Sequence, residues 1–123
     1  MLYTASFYDP DHWQGQPSRV SRAHPRGRRT QWETAPFLYP PKELLRAYRA
    51  GMLGFGELSL EYLSALDAVY QQSAAFQEWV AGLPSAGDVT LLCFERGDDL
   101  CHRRVAARWL LERAPGLGHV QLR

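Results

Sequence analysis

At 123 residues, with 46% of them hydrophobic, the chain is sized for one domain around one core. A formal net charge of +1 excludes a global field that would hold nucleic acid or an anionic membrane, and no apolar run approaches the roughly 20 residues needed to span a bilayer. The two cysteines form no CxxC pair and the chain does not open on a secretory pattern, so the expected setting is the reducing cytoplasm with no membrane partner.

In chain order, residues 2–8 are aromatic and β-branched and predict a first strand that ends at the turn-forming Asp9-Pro10-Asp11. A long irregular loop follows, over about residues 10–40. Its breakers Gly15, Pro17, Pro25, Gly27, Pro36, Pro40 and Pro41 exclude a long helix and leave room for a short second strand at Arg19-Val20-Ser21-Arg22. An irregular connection of this length, carrying Trp13, Trp32 and several arginines, has the character of a lid or binding loop.

A helix is predicted from Pro40 to Gly51, with proline at its first turn and glycine at its end. The next runs from about Phe55 to Ala81, with an apolar face of Leu58, Tyr62, Leu66, Val69, Tyr70, Phe76 and Val80 and a break near Gln71-Gln72-Ser73. Residues 82–87 stop it, and residues 89–94 read as a buried strand. Gly97-Asp98-Asp99 is a turn signal, and the final helix opens with Cys101, His102 and Arg103 and carries an apolar stripe from Val105 to Arg113. Residues 119–122 predict a terminal strand. Strands separated by helices, with no internal repeat, predict a single α/β domain over residues 1–123: three layers, with a small, mostly parallel sheet flanked by helices.

Ligands of such sheets bind beyond the carboxyl ends of the strands, beside helix N-termini. That rule gathers Ser6, Arg22, Cys93 to Glu95, and Cys101-His102-Arg103. Cys101 has two readings, a nucleophile whose thiolate the helix dipole stabilises, or a packing residue. Cys93 reads as structural; it stands eight residues from Cys101, a spacing that leaves open whether the two Cα atoms come within the roughly 7 Å of a disulfide. Glu95 is either an acid/base group or a partner that holds Arg103. His102 is either a proton shuttle or a ring bonded to a backbone carbonyl. Arg22 and Arg103, with Ser6 at a strand end, are the expected receptors for an anion such as phosphate, sulfate or carboxylate. Arg104 and Arg108 belong to the solvated face of the last helix. No cofactor is expected, and no metal, because adjacent Cys101 and His102 would point in different directions on a helix.

The run of two leucines, Cys93, Phe94 and Glu95, followed by Cys101-His102-Arg103, resembles the signature of the domain-of-unknown-function 488 family, small prokaryotic proteins. Tyr3-Thr4-Ala5-Ser6 is similar to that family's first strand, Arg22-x-x-Pro25 to its Arg-x-x-Pro element, and Pro41 to Tyr48 with Gly51 and Tyr62 to its middle helices. Where many members carry an aspartate two residues before the Arg-x-x-Pro arginine, this chain has Val20, and Trp13-Gln14-Gly15 marks a subgroup with a Trp-x-Gly element. The resemblance implies a fold and a site location, and supplies no reaction.

The leading expectation is an α/β protein with an anion-binding pocket formed by Arg22, Arg103 and Ser6, where Glu95, His102 and Cys101 are available for acid/base or thiol chemistry on a small anionic or phosphate-containing substrate. Whether that chemistry makes it an enzyme, and its oligomeric state, are left open. The alternative is a non-catalytic module that binds nucleotide or nucleic acid through the loop over residues 19–32, with Arg22, Arg26, Arg28, Arg29 and Trp32.

Overall fold

The structure, a computed structural model, describes residues 1–95, 101–119 and 122–123. Its described elements run in the order β1 (Leu2–Ser6), β2 (Gln16–Arg19), β3 (Glu33–Thr34), α1 (Lys42–Arg49), α2 (Phe55–Gln72), α3 (Ala74–Gly82), β4 (Val89–Cys93) and α4 (His102–Arg113). The turn expected at Gly97, Asp98 and Asp99 lies outside the described residues. So does the middle of the expected terminal strand, Val120 and Gln121; its first residue, His119, forms a parallel bridge to Leu2.

The four strands form a parallel sheet in the order β1-β4-β2-β3, flanked by helices, which makes a small three-layer α/β domain. The last of the described strands in sequence, β4, thus lies inside the sheet, between β1 and β2. All five residues of β4 are buried, as its unbroken apolar character requires of a parallel strand covered on both faces. In register, Ser6 lies beside Cys93 and Arg19 beside Leu92, so the carboxyl ends of three strands converge.

Alternation along β1 and β4 divides the core. Leu2, Val89, Leu91 and Cys93 face the helices and join Tyr62, Leu66, Phe76, Trp109 and Leu110 in the main cluster. Ala5, Phe7 and Leu92 face the other way, under Trp13, Trp32 and Phe94, so the long loop supplies the aromatic cover of the second face. The far ends of α2 and α4 are clamped by Asp67, which accepts hydrogen bonds from Trp109 Nε1 at 2.9 Å and from the Arg113 guanidinium. Among the described residues, no helix is long and apolar enough to cross a membrane.

The second strand begins three residues earlier than the expected Arg19, at Gln16. Pro17 is tolerated because Gln16 and Val20 direct their N–H groups at β4, to the carbonyls of Asp88 and Leu92, so position 17 faces the opposite edge. There β3 pairs with Ser18 and Arg19 alone, and the missing proline N–H removes no ladder bond. The helix break expected near Gln71-Gln72-Ser73 is real: Ser73 leaves the helical conformation and its Oγ accepts from Phe76 N–H at 3.1 Å, capping α3.

Candidate functional site

Beyond the ends of β2 and β4 lies a cavity of about 390 Å³. Its walls come from the segment after β2 (Ser21, Arg22, Ala23), from α1 (Lys42, Leu45, Arg46, Tyr48, Arg49), from the start of α2 (Phe55, Leu58), from Phe94 and Glu95 after β4, and from Cys101 and His102 at the head of α4. Among these described lining residues, Arg22, Lys42, Arg46 and Arg49 are cationic and Glu95 is the carboxylate. The walls therefore favour an anion.

Cys101 is the N-cap of α4, with extended backbone angles (φ −143°, ψ 147°). That extension overturns the expectation that Cys101 and His102 diverge. With Cys101 outside the helix, its sulfur lies 3.8 Å from His102 Nδ1, and the donor atoms of Cys93, Cys101 and His102 all lie within 4.8 Å of one another. The cysteines are joined as a disulfide across Cα atoms 7.5 Å apart. Cys93, read from sequence as structural, is thus a direct partner of Cys101, and the two differ in access: Cys101 lines the cavity, whereas Cys93 is fully buried and does not.

His102 is buried, and its Nε2 lies 3.0 Å from the carbonyl oxygen of Val20. A carbonyl can only accept, so Nε2 carries the hydrogen and Nδ1 presents its lone pair toward Cys101. Burial lowers the imidazole pKa to about 4; the Val20 hydrogen bond opposes this, and the charges of Arg103 and Arg49 push it further down. The ring of Tyr62 meets that of His102 edge-on at 5.7 Å, and burial pushes the Tyr62 hydroxyl well above its ordinary range while it donates to Leu38 O at 2.5 Å.

Glu95 Oε2 lies 3.4 Å from Cys93 Sγ. Arg103 is 1% exposed and points behind the sulfurs rather than into the cavity. Its Nη1 donates to Glu95 O at 2.8 Å and lies 3.2 Å from Cys93 Sγ, while Nε and Nη2 donate to Arg123 O at 3.1 and 2.5 Å. Arg103 thus supports the site from inside. Ser6 is also off the cavity wall: its hydroxyl donates to Phe94 O and accepts from Tyr8 N–H, both at 3.1 Å, tying the ends of β1 and β4 together. Of the three expected anion receptors, Arg22 alone reaches the cavity, held over the Tyr39 ring at 5.6 Å with Nη2 donating to Pro40 O at 3.3 Å.

Reasoning from sequence missed the basic wall on α1. Its signal was present, since Lys42, Arg46 and Arg49 recur at helical spacing and so share one face. In the long loop, Trp32 is not set out for stacking on a base. It packs against Phe7 at 4.9 Å, Trp13 at 5.9 Å and His24 at 5.1 Å.

No curated protein and no solved structure matches the chain. The family model described as domain of unknown function DUF488 matches residues 7–110, from the end of the first strand through most of α4 and across the whole cavity, and the chain belongs to that family.

Proposed function

We propose that the cavity is a receptor for a small anion-bearing substrate and that Cys101, His102 and Glu95 carry out chemistry on the bound group. The observation that carries this reading is the make-up of the walls: Arg22, Lys42, Arg46 and Arg49 line the cavity together with Cys101 and His102 at the head of α4. Guanidinium groups take phosphate or carboxylate oxygens in two-point geometry, and the first-turn N–H groups of a helix add to the same preference. A volume of about 390 Å³ suits a small metabolite rather than a polymer. Cys101 is the cysteine that borders the cavity, so with the bridge reduced it is the reactive one; His102 Nδ1, 3.8 Å from its sulfur, orients the thiol as a hydrogen-bond acceptor, and Glu95 orients or protonates the substrate. Arg103 holds this wall in place through Glu95 O and the neighbourhood of Cys93.

The test is reaction of the reduced chain with iodoacetamide at neutral pH, with and without inorganic phosphate. Cys101 should alkylate faster than Cys93, and phosphate should slow it; equal rates at the two sulfurs, unaffected by phosphate, would count against the reading.

A further inference from the structure

We infer that Cys93, Cys101 and His102, once the bridge is reduced, form a site for a zinc-class divalent ion whose fourth position faces the basic cavity. This deepens the reading above by naming the cofactor class of that site, with Cys101 and His102 then acting as ligands of the ion in place of nucleophile and base, and rests on it only for what approaches the fourth position.

The three donor atoms already lie within 4.8 Å of one another. Around a tetrahedral zinc ion, ordinary bond lengths set sulfur and nitrogen about 3.6 Å apart and two sulfurs about 3.8 Å apart. Cys101 Sγ and His102 Nδ1 stand at 3.8 Å, close to the first of these edges. The cysteine Cα atoms, 7.5 Å apart, are wider than the roughly 4.4–6.8 Å usual for a bridged pair, so rotation of the side chains lets the sulfurs separate to the second edge without moving β4 or α4.

The imidazole is prepared as a metal-binding histidine is. One ring nitrogen is committed to a backbone carbonyl, Nε2 to Val20 O at 3.0 Å, which fixes the ring and leaves Nδ1 as the ligand atom. Charge also balances. Two thiolates neutralise the divalent ion, and the flanking Arg103 guanidinium and Glu95 carboxylate, 3.2 and 3.4 Å from Cys93 Sγ, offset each other. Two thiolates and an imidazole select zinc over calcium or magnesium, which need oxygen. Three protein ligands with one open position are the pattern of a catalytic rather than a structural zinc site, and Cys101 and His102 both border the cavity.

Loading requires reduction. A dithiol reductant gives two electrons and two protons to the Cys93–Cys101 bond and leaves as its own disulfide. Each cysteine thiol then releases its proton to solvent as its sulfur bonds the ion.

The experiment is titration of the full-length, reduced chain with Cd²⁺ under anaerobic conditions in an anion-poor buffer. Because the chain has 2 cysteines, a thiolate-to-cadmium absorption band reports this site alone. The band should saturate at one ion per chain, Zn²⁺ should displace Cd²⁺ and abolish the band, and both thiols should be protected from maleimide. His102→Ala should weaken binding by more than about 100-fold, since loss of a mere outer partner costs roughly 10–100-fold. The oxidised chain should give no band, a control that does not depend on any variant folding. Absence of a saturable band, or unchanged affinity in a His102→Ala chain with native far-UV dichroism, would overturn the inference. Phosphate titration of the metal-free chain is a separate readout, so failure of anion binding with the cadmium band intact sinks the anion reading alone.

Discussion

Arg103 carries its charge where a helix least favours it, in the first turn of α4, whose exposed N–H groups make that end positive. Its guanidinium is held there by the carbonyls of Glu95 and Arg123 and by the nearness of the Cys93 sulfur. Arg103→Met keeps much of the volume but removes the donor, and should lower stability by about 2–4 kcal/mol in urea unfolding; a loss below about 0.5 kcal/mol would show that these bonds matter little. His102 sets a pH dependence of definite sign. Its folded pKa of about 4 lies below the unfolded value near 6.5, so the unfolded chain binds the extra proton. In the oxidised, metal-free protein, stability should be complete above pH 6.5 and fall as the pH drops through the window to about 4, by up to about 3 kcal/mol. His102→Gln should flatten that slope in urea midpoints measured across the window. At this scale the sequence identified the cluster but not its directions. Cys-His-Arg marked the corner, whereas the inward turn of Arg103 depends on an oxygen twenty residues further on, at Arg123.

The segment Trp13-Gln14-Gly15 shows how an element too short to predict can position a strand. Trp13 Nε1 donates to Ser6 O at 2.9 Å, and the Gln14 backbone both donates to and accepts from the Thr90 hydroxyl, at 2.8 and 2.7 Å. Gly15 then adopts φ 63°, and a Cβ there would lie 2.1 Å from the carbonyl oxygen of Asp88. Gly15→Ala should therefore displace β2 from β4 and lower stability by more than about 2 kcal/mol in thermal or urea unfolding, through strain and overlap together. Gly27, with φ 76° and open space around it, should accept alanine at a smaller cost, mostly backbone strain. Helices were legible because their apolar positions repeat over several turns. The two-residue β3 was not, since a period of two cannot show itself in one step, and the start of β2 was hidden by a proline acceptable only on that edge.

Across the whole molecule, one cluster links β1, β4, Val20 just after β2, and α2, α3 and α4, while α1 packs against it through Leu44. Phe76 joins its parts, stacking on Phe37 at 4.8 Å and on Trp109 at 5.3 Å. A core shared this widely should unfold in a single transition, with far-UV dichroism and tryptophan fluorescence superimposing in urea; separated midpoints would contradict it. The parallel α/β class was readable from alternating strand and helix patterns, and the strand-end rule pointed to the end of the sheet where the cavity lies. The strand order β1-β4-β2-β3 was not readable, since β4 pairs with strands that precede it by 87 residues (Leu2 with Val89) and 73 residues (Gln16 with Val89), which leaves no local trace. The cavity lies where α1 and the start of α2 meet the segments after β2 and β4 and the head of α4.

An anion receptor at that junction can be checked by titrating inorganic phosphate into the chain at low salt while following backbone amide resonances. Saturable shifts are expected at Ser21 to Ala23, along α1, and at Phe94, Glu95 and His102, with affinity weakened at least about tenfold in Arg22→Ala/Arg49→Ala. Shifts that fail to saturate, or that persist undiminished in the double variant, would contradict it.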